Sequence, residues 1–147
     1  MNKNYLIEHV SDYQRFVVDI APLLNQGCLV LLEGDLGAGK TTLISHILRH
    51  FQIQMVASPT YAFHHRYESD SMIFDHFDLY RLESADEVES IGMWDLIQQN
   101  QVGAIFIEWP SRIADHDWPL DRKMIRIQLK IETNEKRNLY LKYEESF

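Results

Sequence analysis

Hydrophobic spacing divides the chain into alternating strand-like and helix-like segments. Tyr5-Leu6-Ile7 reads as a short edge strand. Phe16, Val17, Ile20, Leu23 and Leu24 then recur at helical spacing and predict a helix over about 12–25, which Pro22 kinks or shortens. Ser11-Asp12-Tyr13-Gln14 has the S-x-x-Q form of a capping box at its start, and Asn25-Gln26-Gly27 stops it. The unbroken apolar run Cys28-Leu29-Val30-Leu31-Leu32 suits a strand buried on both faces, and 42–50 returns to helical spacing.

Further along, 62–67 and 72–78 read as two strands joined by the polar turn Glu68-Ser69-Asp70-Ser71, a hairpin. Ser84-Ala85-Asp86-Glu87 is a second capping box, and the acids around it read as a solvated first helical turn. Gly92 to Ile97 starts another short helix. Gly103-Ala104-Ile105-Phe106-Ile107-Glu108-Trp109-Pro110 is a core strand that ends in an acid. Residues 124–131 and 138–143 alternate apolar and polar around the turn 133–137, predicting a terminal antiparallel hairpin. The prediction is one α/β domain over 1–147, with a mainly parallel central sheet, appended antiparallel hairpins and flanking helices.

Composition narrows the class. The chain is 46% hydrophobic and 24% charged, as soluble globular domains are, and no apolar stretch is long enough to cross a bilayer. The start, Met1-Asn2-Lys3-Asn4-Tyr5, lacks a signal-peptide pattern, and the single cysteine, Cys28, falls in a predicted core strand as an inert thiol. These features predict a cytoplasmic protein. The net charge of −8 opposes a strong autonomous grip on nucleic acid, and the basic residues are scattered, Arg122-Lys123 with Arg126 being the nearest to a cluster.

The chemistry is carried by Gly34-Asp35-Leu36-Gly37-Ala38-Gly39-Lys40-Thr41-Thr42, which reads G-x-x-x-x-G-K-[ST] between a strand and a helix. A triphosphate presents many acceptor oxygens. Glycines let the backbone turn and aim successive N–H groups at them, and the following helix adds its N-terminal dipole. Lys40 reaches the outer phosphates, and the Thr41 hydroxyl is placed to ligate Mg²⁺. Glu108, at the end of four apolar strand residues, fits the Walker B pattern at the carboxyl end of a core strand.

Four motifs in order make a more specific pattern: Gly34 to Thr42, Ser58-Pro59-Thr60-Tyr61, His76-Phe77-Asp78-Leu79-Tyr80-Arg81-Leu82, and Glu108-Trp109-Pro110. Over about residues 30–110 the chain resembles the TsaE (YjeE) family of bacterial P-loop ATPases, needed for threonylcarbamoyladenosine modification of tRNA. The resemblance implies that Asp35, Leu36, Gly37, Ala38, Gly39, Lys40, Thr41 and Thr42 hold ATP, with Thr41 and Glu108 on Mg²⁺, the latter directly or through water. It makes 58–61, with Thr60, a switch I and the Asp78 segment a switch II. Asp78 or Glu108 then orients the attacking water. It sets Trp109 close to the nucleotide and Arg137 at a basic position near ATP. The implied partners are TsaB and TsaD, with tRNA engaged only indirectly and no membrane.

Other residues receive plainer readings. His76 reads as a satisfied strand histidine in preference to a metal site with Asp78, His64 and His65 as hairpin surface, and Trp94 and Trp118 as packing aromatics. Tyr80 and Arg81 either pack the switch or contact a partner. After Pro110 the chain leaves the family pattern, so the loop 111–120, with Arg112, has no assigned contacts. Segment 8–12 is a candidate border of the nucleotide. The alternative function is a small-molecule P-loop kinase, with Arg112, Arg122, Lys123 and Arg126 as a lid. A GTP switch lacks its N-K-x-D signature here.

Overall fold

The computed structural model describes residues 2–55 and 63–144. Its strands are β1 (Asn2–Ile7), β2 (Cys28–Glu33), β3 (His64–Glu68), β4 (Ile73–Asp78), β5 (Ala104–Glu108), β6 (Met124–Ile131) and β7 (Arg137–Glu144). Its α-helices are α1 (Asp12–Ile20), α2 (Lys40–His50), α3 (Ala85–Ser90) and α4 (Met93–Gln99). The strands form one sheet in the order β1-β7-β6-β2-β5-β4-β3. Its centre, β6-β2-β5-β4, is parallel, while β7 runs antiparallel to β6, β1 to β7, and β3 to β4. The predicted class holds, with both hairpins appended at the sheet flanks.

The buried strands read as continuous apolar runs because both sheet faces are covered. Cys28, Val30, Leu32, Ala104 and Phe106 pack under α1 and α2 with Phe16, Ile20, Leu43 and Ile47. Leu29, Leu31, Ile105 and Ile107 turn to the opposite layer, where α3, α4 and the segment after β5 supply Val88, Met93, Ile97, Ile113 and Trp118. Trp94 and Trp118 meet edge-on in that layer, as packing aromatics. Cys28 is fully buried, and burial pushes its thiol up to about 12, which keeps it unreactive.

Two helix starts differ from the sequence expectation. Ser11 sits in helical backbone and makes no side-chain cap bond. The Gln14 amide that a cap would bind donates to the Ser11 carbonyl, and Asp12 accepts from the Glu8 and His9 amides just ahead of the helix, at 2.9 and 2.8 Å. The α-helix ends at Ile20, and Ala21–Leu23 tightens into a 3₁₀ turn around Pro22, which has no N–H to continue the ladder. The second cap forms as expected, with the Glu87 amide donating to Ser84 Oγ. Helix α2 begins at Lys40, two residues before the periodic segment 42–50, since its first turn is the end of the glycine loop itself.

His64 is not a free surface residue. It stacks on Phe77 and meets the carboxylate of Asp75 at 2.6 Å. Asp75 is fully buried and also accepts from Arg66, 2.9 Å from Nε, and from Asn100 Nδ2 at 3.0 Å. These bonds tie β3 to β4 and β4 to the end of α4, and they hold the strand that carries Asp78 in register. Burial pushes the Asp75 carboxyl up, but the hydrogen bonds from His64, Arg66 and Asn100 outweigh it and hold it below the usual carboxylate range. A lowered carboxyl stabilises the fold above its unfolded pKa, and that contribution is lost as pH falls through the folded value. Asp75→Asn is expected to cost about 2–4 kcal/mol at neutral pH. In denaturant melts the gap between wild type and variant narrows below roughly pH 4.

Candidate functional site

The parallel register of β2, β5 and β4 lines up three chain ends. Leu32 pairs with Glu108, and Glu108 pairs with Asp78, so both acids lie beside the loop that leaves β2. Open α/β sheets bind ligands at this carboxyl edge. Gly37 and Gly39 take positive φ of 78° and 99°, which lets the loop curl back before α2. Gly34 is needed for a different reason. A Cβ there would lie 2.7 Å from the Leu129 carbonyl oxygen, so the loop passes β6 too closely for a side chain.

Lys40 is only 5% exposed, and its ammonium donates to the Gly34 and Asp35 carbonyls at 2.6 and 3.0 Å. It also stands 4.4 Å from the centre of the Trp109 ring. Burial pulls its pKa below the ordinary lysine value, opposed by the charges of Glu108, Glu33, Asp78 and Asp35. The Thr41 hydroxyl meets both Glu108 oxygens at 3.0 Å. Glu108 is 3% exposed, and His76 Nε2 lies 2.7 Å from its Oε2. Asp78 is nearly buried and accepts from the Tyr80 amide at 3.0 Å.

Leu36, Gly37, Gly39, Lys40, Thr41 and Thr42 form one wall of a cavity of about 370 Å³. Asp78, Tyr80, Arg81, Glu108 and Trp109 form the other. Asp35 contributes its carbonyl to Lys40 and to the Ala38 amide, and Ala38 is buried beneath the loop. Thr60, with the Ser58-Pro59-Thr60-Tyr61 motif, lies outside the described residues. Arg137 does not line this cavity. It braces its own hairpin by donating to the Thr133 and Lys136 carbonyls, and it lines a neighbouring hollow of about 270 Å³ with His9, Tyr13, Gly37, Gly39 and Thr42. Segment 8–12 thus borders the P-loop through His9 and Val10.

Trp109 sits in left-handed backbone, φ 61° and ψ 49°, immediately before Pro110. A tryptophan pays conformational strain there, of order 1–3 kcal/mol, and such strain clusters at functional positions. Its amide is anchored on the Leu32 carbonyl, and its ring lies 5.0 Å from Tyr80. Arg112 joins this wall by donating to the Tyr80 carbonyl at 2.9 Å, which gives the divergent loop a contact to the Asp78 segment. Arg122 and Arg126, also named for a lid, do not line the cavity. Arg122 bonds the Asn100 and Gln98 carbonyls at the opposite end of the sheet, and Arg126 pairs with Asp115 and Glu144. Of the four residues that the kinase alternative groups as a lid, these two are thus engaged elsewhere.

A family model described as threonylcarbamoyl adenosine biosynthesis protein TsaE matches residues 7–139. The chain belongs to the TsaE family. It is 35% identical over 136 residues to the tRNA threonylcarbamoyladenosine biosynthesis protein TsaE of Rickettsia typhi, covering 91% of this chain and 90% of that one. It is 31% identical over 143 residues to the protein of the same name from Aquifex aeolicus, covering 95% and 97%. The fold is similar to the crystal structure of Bacillus subtilis YdiB, with a TM-score of 0.67 at 21% identity, over 96% of this chain and 84% of that one.

Sequence reasoning placed the glycine loop, Glu108, Asp78 and Trp109 at one site, and the structure brings them together. For His76 it preferred a satisfied strand histidine over a metal ligand with Asp78, and did not pair it with Glu108. A signal was available: the alternation of His76, Phe77 and Asp78 puts His76 on the same strand face as Asp78, next to Glu108 once β4 pairs with β5. Because Lys40 stands over the Trp109 ring, nucleotide phosphates that draw Lys40 away should change that indole's emission. Titration with ATP is expected to shift tryptophan fluorescence in wild type, and Trp109→Phe should abolish the response while Trp94 and Trp118 still emit.

Proposed function

We propose that this chain binds and hydrolyses ATP with Mg²⁺, as the energy-supplying subunit of the machinery that installs threonylcarbamoyladenosine at position 37 of tRNA. The observation that carries the reading is the Lys40–Thr41–Glu108 constellation on a glycine loop that opens a helix. Membership of a family named for threonylcarbamoyladenosine biosynthesis supplies the pathway.

The Thr41 hydroxyl and the Glu108 carboxylate are hard oxygen donors within 3.0 Å of each other, a donor pair that suits Mg²⁺. Among the described residues no group of three or more His, Cys, Asp and Glu side chains forms a cage of its own. That is in keeping with an ion held largely by substrate phosphates. When bound, Mg²⁺ neutralises phosphate charge. The chain's own groups do the rest. Amides of the 37–42 loop and the α2 N-terminus cradle the phosphates. Lys40 leaves the Gly34 and Asp35 carbonyls for phosphate oxygens. Asp78 or Glu108 accepts a hydrogen bond from the attacking water and orients it in line. Arg137, His9 and Tyr13 border the hollow that would receive the nucleoside end.

The partners are TsaB and TsaD. The net charge of −8 favours protein partners over direct capture of RNA. The Asp78–Arg81 segment, braced by Arg112, and Thr60 in the 58–61 motif would report the presence of the γ-phosphate to them.

ATPase assays with and without TsaB and TsaD test this reading. Wild type is expected to turn over slowly alone and faster with the partners. Lys40→Ala should weaken ATP binding, and Glu108→Ala should retain binding but lose roughly 100-fold or more in kcat. A pull-down of TsaB and TsaD that depends on ATP is expected for wild type. Fast partner-independent turnover, or association indifferent to nucleotide, would count against it.

A further inference from the structure

The Walker-B-type acid Glu108 is gripped from behind by a side chain that the mechanism above does not use. His76 is fully buried on β4, two residues before Asp78, and its Nε2 lies 2.7 Å from Glu108 Oε2. Its other nitrogen, Nδ1, is buried without a hydrogen-bond partner. A carboxylate only accepts, so the contact requires the proton on Nε2, and Nδ1 then buries a bare lone pair in place of an orphaned N–H. One tautomer is thereby selected. Thr41 approaches both Glu108 oxygens at 3.0 Å, whereas His76 engages Oε2 alone. Oε2 thus carries a contact from His76 that Oε1 lacks, and Glu108 itself lines the cavity.

We propose that His76 is the positioning residue of this site: its Nε2–H holds Glu108 Oε2 and so fixes the rotation of the carboxylate, leaving Oε1 free for the Mg²⁺ that would accompany a bound nucleotide. This rests on the ATPase reading. The geometry has a simple origin. Asp78 faces Glu108 in the parallel register, so His76, two positions earlier on the same face, reaches the Glu108 side chain diagonally from the adjoining strand. A carboxylate with no such anchor rotates freely, and a group held loosely loses much of its value in positioning. Removal of a partner that orients a ligating side chain typically costs roughly 10- to 100-fold in metal affinity or activity.

His76→Leu and His76→Gln separate positioning from packing. Leucine fills the space without a donor, while the glutamine amide nitrogen can stand where Nε2 stood. His76→Leu is expected to lower kcat roughly 10- to 100-fold with the KM for ATP unchanged, and His76→Gln to recover most of it. The Mg²⁺ concentration that half-saturates ATP-dependent thermal stabilisation, which needs no turnover, should rise for the leucine variant and return with glutamine. Long-range ¹H–¹⁵N spectra of wild type should show His76 with its proton on Nε2, even if the leucine variant fails to fold. A Nδ1–H tautomer, wild-type kcat and Mg²⁺ response in the leucine variant, or no recovery with glutamine would overturn the proposal. Wild type without Mg²⁺-dependent hydrolysis, alone or with its partners, would instead sink the ATPase reading itself.

Discussion

A lysine ammonium sunk to 5% exposure at the end of a hydrophobic sheet sets the terms for everything around it. In the absence of phosphate it needs acceptors, and the Gly34 and Asp35 carbonyls supply them. It also needs opposite charge nearby, and Glu108, Glu33, Asp78 and Asp35 surround it. Those acids would repel one another without the lysine, so cation and acids are mutually required. On the proposed reading, an incoming triphosphate would replace these carbonyl acceptors with charged oxygens. The site is thus arranged for a charge exchange in a poorly hydrated place, where electrostatic interactions are strong.

The sheet makes this arrangement affordable in stability. Four parallel strands bury both faces, one under α1 and α2 and the other under α3, α4 and the segment after β5. Their shared register delivers Gly34, Asp78 and Glu108 to one edge with little freedom to drift. The Asp75 network performs a related task on the opposite face of β4, where a buried carboxylate with three partners holds the outer hairpin and α4 against that strand. The strand that carries His76 and Asp78 is therefore clamped from both sides, while the walls at Tyr80, Trp109 and Arg112 consist of loop backbone and ring contacts.

Much of this was legible from residue order. Glycine spacing and Lys40-Thr41 declare a phosphate loop because few other backbones need that sequence. The runs at 28–32 and 104–107 read as buried strands because a sheet covered on both faces tolerates unbroken apolarity. Alternation at 124–131 and 138–143 declares a half-buried hairpin. Capping was less legible: Ser84 caps as its pattern predicts, whereas Ser11 lies in helical backbone and makes no side-chain cap bond. The pattern could not tell them apart, since a cap needs extended backbone at the serine: Ser84 has φ −145° and ψ 161°, while Ser11 has φ −62° and ψ −21°.

Sequence by itself determined the chemistry of the phosphate end, the strand and helix periods, and the family. Each of these is written in local order, within a loop or along one element. Only tertiary structure decided which residues from different elements meet. His64 is tied to Asp75, Arg122 caps carbonyls at the far end of the sheet, and Arg137 borders a second hollow beside the loop. His76 touches Glu108 only because β4 lies parallel to β5 in one particular register. A slip of one residue would turn His76 and Asp78 to the opposite face together, and no local pattern in either strand records which register the fold selects.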